Sequence, residues 1–120
     1  MLKSIHRLST KQFMEVMEKG KIATSPLFVV RILERKLGVG SLKQGEGSQI
    51  SAVAPKKVAS TAVLRNRVRR QIYEAVRPLR ATLLPATAII IFAKNEALKT
   101  NLRSMTSDLK QLFVKAKISV

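Results

Sequence analysis

Cysteine and tryptophan are absent from this 120-residue chain, and histidine and tyrosine occur once each. Without cysteine there can be no disulfide and no thiolate-bound metal, and a reducing compartment is permitted. With His6 alone, an acid–base pair of histidines is impossible, and a histidine with no second ligand nearby reads as a surface side chain. Acids are scarce too: Glu15, Glu18, Glu34, Glu46, Glu74, Glu96 and Asp108. Only Glu15 and Glu18 fall close together on a predicted helix, where they read as surface residues. A protein nuclease would need paired carboxylates for metals, or a histidine with a second acid or base. Serine and threonine are plentiful, but none has the setting of an activated nucleophile. No self-sufficient active site, and no cofactor or metal held by the protein, is expected. The opening MLKSIHRLSTKQF has no apolar signal core, and no run approaches the roughly 18 residues of a membrane span. A cytoplasmic location is the resulting expectation.

What the chain has is cations. Lys and Arg total 23 against 7 acids, a formal net charge of +16. A hydrophobic content of 46% supports a folded chain, and the length suits a single domain over residues 1–120. So large an excess of one sign opposes compaction by self-repulsion until a polyanion relieves it. Nucleic acid is the expected partner. An anionic membrane competes, but a membrane-surface helix needs a wide Trp/Phe/Leu face that is missing here.

The cations concentrate in Lys56–Arg80, where Lys56, Lys57, Arg65, Arg67, Arg69, Arg70, Arg77 and Arg80 meet one acid, Glu74. Wound as a helix from Ala62 to Leu79, this stretch puts Leu64, Val68, Ile72, Ala75 and Leu79 on one stripe, with Val76 at its margin. Asn66, Arg69, Arg70, Tyr73 and Arg77 gather on another side. One face suits a core; the other offers cations, an amide and an aromatic ring to a phosphate backbone with unstacked bases. A merely solvated charged face is the plainer alternative, but such faces normally carry acids four residues from their bases. This one does not.

Around that helix the order reads helix, strands, basic helix, strand, helix. Ser9 and Gln12 form a capping box opening a helix that ends near Lys19, with Gly20 as a left-handed cap and Phe13, Val16 and Met17 as its apolar edge. Lys21–Ser25 suggests an edge strand. Leu27–Leu33 suggests a firmer one, with Phe28, Val30 and Ile32 on one face and Leu27, Val29, Arg31 and Leu33 on the other. Arg31 interrupts an apolar row, so its face should meet solvent or a ligand. Residues 35–48 hold Gly38, Gly40, Gly45 and Gly47 without a P-loop ending, and read as a flexible hairpin connection. Gln49–Ala54 is a strand closed by Pro55, and Ala88–Phe92 one covered on both faces. Leu98, Leu102, Met105, Leu109, Leu112 and Ala116, with Phe113 beside them, mark a last helix packed on the sheet. The strands before and after the basic helix are candidates for parallel neighbours. The fold class is α+β, a small sandwich of helices on one sheet.

At Ala62-Val-Leu-Arg65-Asn66-Arg67-Val-Arg69-Arg70 the chain resembles the protein subunit of bacterial ribonuclease P, whose signature is AVxRNRxKRxxRExxR. The likeness continues through Glu74 and Arg77 and upstream to Lys56-Lys57. It extends to the Phe13–Gly20 helix, Phe28-Val29-Val30, Ile89 to Ala93, and the closing leucine-rich helix. The resemblance implies an α-β-β-β-α-β-α order, ribosomal-protein-like, with a left-handed βαβ crossover through the RNR helix. It also implies that a catalytic RNA with bound magnesium hydrolyses precursor tRNA, while the protein holds the single-stranded 5′ leader between its first helix and the sheet. Carried over by motif, Arg65, Asn66, Arg67, Arg69 and Arg70 face that RNA, with Tyr73 and Arg77 on the same side. Phe13, Met17, Val29, Arg31, Ser51, Lys56 and Lys57 lie in or beside the leader cleft.

The chain departs from the family pattern at several of these positions. Arg69 replaces the usual Lys, and Tyr73 a commonly basic residue, exchanging charge for a stacking surface. Met17 and Arg31 stand where members often have aromatics, and Ala59 where many have glycine. Phe13 is either a stacking platform or a core residue of the first helix. Other readings are a basic ribosomal-type RNA-binding protein without a cleavage role, a small DNA-binding protein, for which no helix-turn-helix spacing is present, and a stand-alone nuclease.

Overall fold

The computed structural model describes residues 10–34, 49–82 and 87–117. The capping role expected of Ser9, the arm with His6 and the glycine-rich connection at 35–48 lie outside them. Helix α1 spans Thr10–Lys19 and buries Val16, with Phe13 and Met17 half-buried beside it. It stops at Gly20, but not for the expected reason. Gly20 does not adopt a left-handed conformation; a Cβ there would lie 2.5 Å from the Val16 carbonyl oxygen and 3.2 Å from that of Ile32. The Gly20 amide donates to Val16 O at 2.8 Å, which draws the two backbones together. Glycine is needed for close approach rather than for φ.

Strand β1 (Lys21–Thr24) turns through Ser25 and Pro26 into β2 (Phe28–Glu34), pairing Lys21 with Ile32 and Thr24 with Val29. At the turn the Ser25 amide donates to Phe28 O at 2.8 Å and the Phe28 amide to Ser25 Oγ at 3.1 Å. The Ser25 hydroxyl also donates to the Asp108 carboxylate, and Lys94 Nζ to the Ser25 carbonyl at 2.6 Å. Strand β3 is Gln49–Val53 and β4 is Thr87–Ala93. Among the described residues the sheet has four strands, in the order β1-β2-β4-β3. β4 is antiparallel to β2 and parallel to β3, so the last strand in sequence is internal to the sheet.

Between β3 and β4 runs α2 (Ala62–Val76), making the expected crossover between parallel neighbours. Thr61 caps it, its side chain accepting from Leu64 N at 3.2 Å. Pro78 cannot continue an α-helical ladder, and Arg77–Thr82 winds as a 3-10 helix instead. A second 3-10 turn, Asn95–Lys99, leads to α3 (Leu102–Lys115), capped by the Asn101 side chain on Ser104 N at 2.8 Å. Leu98 therefore belongs to the turn, and Leu102 opens α3 exposed rather than on its packed stripe.

Alternation divides the sheet. Phe28, Val30 and Ile32 of β2, Ile50 and Ala52 of β3, and Ile89 and Ile91 of β4 meet Val68, Ile72, Ala75 and Val76 of α2 and Met105, Leu109, Leu112 and Phe113 of α3 in the main core. Each large apolar side chain buried there contributes roughly 1.5–3 kcal/mol. The opposite face is thinner: Val16 of α1 sits on Ala88 and Ile90, ringed by half-buried Phe13, Met17, Leu33, Val53 and Phe92. β4 is thus covered on both faces, as its unbroken apolar run requires.

Candidate nucleic-acid interface

The arginines of α2 divide between the two flanks of the helix. Arg65 and Arg69, one turn apart, face the free edge of β3 across a groove of about 300 Å³ that Ser51, Ala52, Val53 and Ala54 complete. Arg65 is half-buried, and its guanidinium donates to the carbonyls of Ala59 at 3.1 Å and Ser60 at 3.3 Å, holding the loop before the helix. Arg69 donates to the Asn66 side chain. On the other flank Arg67 and Arg70, with Gln71, Glu74 and Leu102, line a groove of about 380 Å³ against the start of α3. Both are exposed, and neither has a hydrogen bond or ion pair among the described residues. Arg77 pairs with Glu74 at 3.3 Å, both side chains largely in solvent, so one acid offsets one cation at the helix end.

Tyr73 corrects the helical-wheel reading. A wheel sets it between Arg69 and Asn66 on the exposed side, yet it is 9% exposed and belongs to the core cluster. Its hydroxyl accepts the Ala52 amide of β3 at 3.2 Å. The physical reason is that β3 flanks this side of α2, so the line of residues that is open at Arg65 is covered at Tyr73. The ring is no stacking platform for a base.

The face under α1 is arranged less compactly than its residue types suggest. α1 lies across β2 and β4, and leaves Ser51 and Val53 of β3 half-exposed beside it. Strand register puts Val29, Phe92 and Val53 in one row, all half-exposed. Lys56 and Lys57 are exposed on the turn just beyond Val53, where Val58 and Ala59 amides donate back to Pro55 O at 2.9 Å. Phe13 and Met17 border the same face, packed against Val16's cluster. Phe13 is thus half core and half wall. Arg31 stands apart. It and Ser51 flank Ile90 in one row, roughly 10 Å apart across two strand spacings. Its guanidinium donates to the Met17 carbonyl at 2.7 Å, so the break in the apolar row meets a helix end while staying half-exposed.

Phe92 is the residue that pattern reading missed. Inside a continuous apolar run it looks like core, but alternation from Ala88 and Ile90 assigns it to the thinly covered face. Among the described residues, no three His, Asp or Glu side chains gather where they could hold a metal ion, and no helix is long and apolar enough to cross a membrane.

A family model described as Ribonuclease P matches residues 2–117. The "Ribonuclease P protein component" of Rippkaea orientalis is 30% identical over 98% of this chain and 91% of that relative. Among solved structures, the Staphylococcus aureus RNase P protein superposes with a TM-score of 0.75 at 22% identity, covering 98% of this chain and all of its own. The Thermotoga maritima RNase P protein gives 0.72 at 18% identity over 91% of this chain and 96% of that one. These two carry the fold.

Proposed function

This chain belongs to the ribonuclease P protein family, and from that membership we propose that it is the RNA-binding subunit of a ribonuclease P holoenzyme. In this reading a partner RNA, with its bound magnesium, hydrolyses precursor tRNA. The protein grips that RNA through α2 and the 5′ leader through the face beside α1. The observation that carries the reading is the pair Arg67 and Arg70, exposed on α2 with no protein partner among the described residues. A cation left without an acid is available to a phosphate, and each phosphate neutralised releases counterions. Such cations also take over some of the screening that magnesium otherwise supplies to a folded RNA.

On the leader side, the half-exposed row Val29, Phe92 and Val53, with Phe13 and Met17 at its border, offers an apolar bed, and Lys56 and Lys57 offer charge at its end. Phe92 joins the leader-side residues as an aromatic surface, on which a base stacks for roughly 1–3 kcal/mol. Ser51 contributes a hydroxyl beside it. Arg31 contributes indirectly, by fixing the end of α1.

The test is reconstitution. Protein purified free of RNA is added to a ribonuclease P RNA and precursor tRNA at a magnesium concentration where the RNA alone is nearly inactive. The expected result is restored 5′ maturation, with no cleavage by the protein alone. Cleavage by the RNA-free protein would falsify the division of labour, and an unchanged magnesium requirement would remove the proposed role.

A further inference from the structure

We propose that Tyr73 is a positioning residue of the RNA interface: its hydroxyl holds the free edge of β3 at a fixed distance from α2 and so sets the groove in which Arg65 and Arg69 face Ser51. β3 pairs with β4 on one side, and among the described residues no other strand follows it in the sheet. In a parallel ladder the amide and carbonyl of one residue point to the same side, and alternate residues point to opposite sides. The Ala52 amide donates to Tyr73 Oη at 3.2 Å, so Ala52 points its backbone away from β4 and toward the helix. Ser51 and Val53 point theirs into the sheet and turn their side chains to the α1 face.

Tyr73, Arg69 and Arg65 fall at intervals of four along α2, one line facing the β3 edge. Where the tyrosine fills that line, helix and strand are in contact; toward Arg65 the line opens into the groove of about 300 Å³. A tyrosine is well suited to this task, since its ring is a rigid spacer with two rotatable bonds and a polar tip. The hydroxyl meets an amide that would otherwise sit unpaired on a buried edge, and leaving such a donor unpaired is costly. One hydrogen bond therefore joins the helix that carries the catalytic-RNA contacts to the strand that carries leader-side contacts.

This rests on the leader reading above, and the experiment separates the two. Holoenzyme is reconstituted with unaltered protein and with Tyr73→Phe, and affinities for precursor and mature tRNA are compared. Tyr73→Phe should lower the precursor-to-mature preference by roughly three- to tenfold, the equivalent of one neutral hydrogen bond. The salt dependence of the variant's affinity for the catalytic RNA should stay unchanged, since every cation of α2 is retained, and the affinity itself should fall no more than the precursor preference does. Amide hydrogen exchange on the unaltered protein is an independent readout: the Ala52 amide should be protected although it lies on an edge. A discriminating holoenzyme whose preference survives Tyr73→Phe, or an unprotected Ala52 amide, overturns the assignment of Tyr73. An unaltered holoenzyme that binds both tRNAs equally overturns the leader reading instead.

Discussion

The Arg31 guanidinium donates to the Met17 carbonyl at 2.7 Å, tying the second strand to the last turn of the first helix. The carbonyls of a helix's last turn have no partner within the helix, and a cation there also opposes the negative end of the macrodipole. Arg31 is thus a C-terminal clamp for a short helix whose other hold on the sheet is mainly Val16.

Arg31→Ala should therefore act first on stability. Because the guanidinium is half-exposed, the loss should be about 1 kcal/mol rather than the larger value of a buried charged bond. Urea unfolding measures it. If the midpoint does not move and preference for precursor over mature tRNA falls instead, Arg31 is a leader contact and the clamp is incidental.

Gly20→Ala should destabilise by roughly 1–3 kcal/mol, because the new Cβ meets backbone rather than a movable side chain. Gly20→Asn distinguishes the two explanations for a glycine after a helix. Asparagine tolerates left-handed backbone but has a Cβ like any other residue. Thermal unfolding should show it no better than alanine; a clear rescue by asparagine would contradict the close-approach account.

Much of this was legible in the sequence because local pattern and tertiary role agreed. The stripe through Val68, Ile72 and Ala75 is buried as periodicity requires, and Pro78 ends the α-helical winding of α2. The parallel pairing of β3 with β4 follows from the helix between them. The misreadings share a cause: a neighbour distant in sequence changes the meaning of a residue. Tyr73 lies on a charged arc until β3 covers it. Phe92 looks fully buried because the run around it is apolar, although the face it points to is only partly roofed. Periodicity reports which side a residue is on, and not what stands there.

The two flanks of α2 should separate in a salt titration. Arg67→Ala with Arg70→Ala removes exposed cations that hold nothing in the protein, so unfolding should be unchanged within about 0.5 kcal/mol. The slope of log affinity for catalytic RNA against log salt should shrink by about 1.4–1.8 for two phosphate contacts. Arg65→Ala should give the opposite balance, since that side chain holds the Ala59 and Ser60 carbonyls and would cost stability as well. If the first pair leaves the slope unchanged, these arginines are only a solvated face.

The position of β4 also fixes an order in time. Among the described strands it is the last to be synthesised, yet it is the one that joins β2 to β3. Until residues 87–93 exist, β3 has no strand to pair with and the apolar stripe of α2 has only a partial surface to settle on. The first half of the chain can close little more than the hairpin of β1 and β2. Non-local pairing of this kind bears its loop-closure entropy before its contacts reward it. A growing chain of this protein thus carries its most cationic helix for some time before the sheet that will hold it is complete.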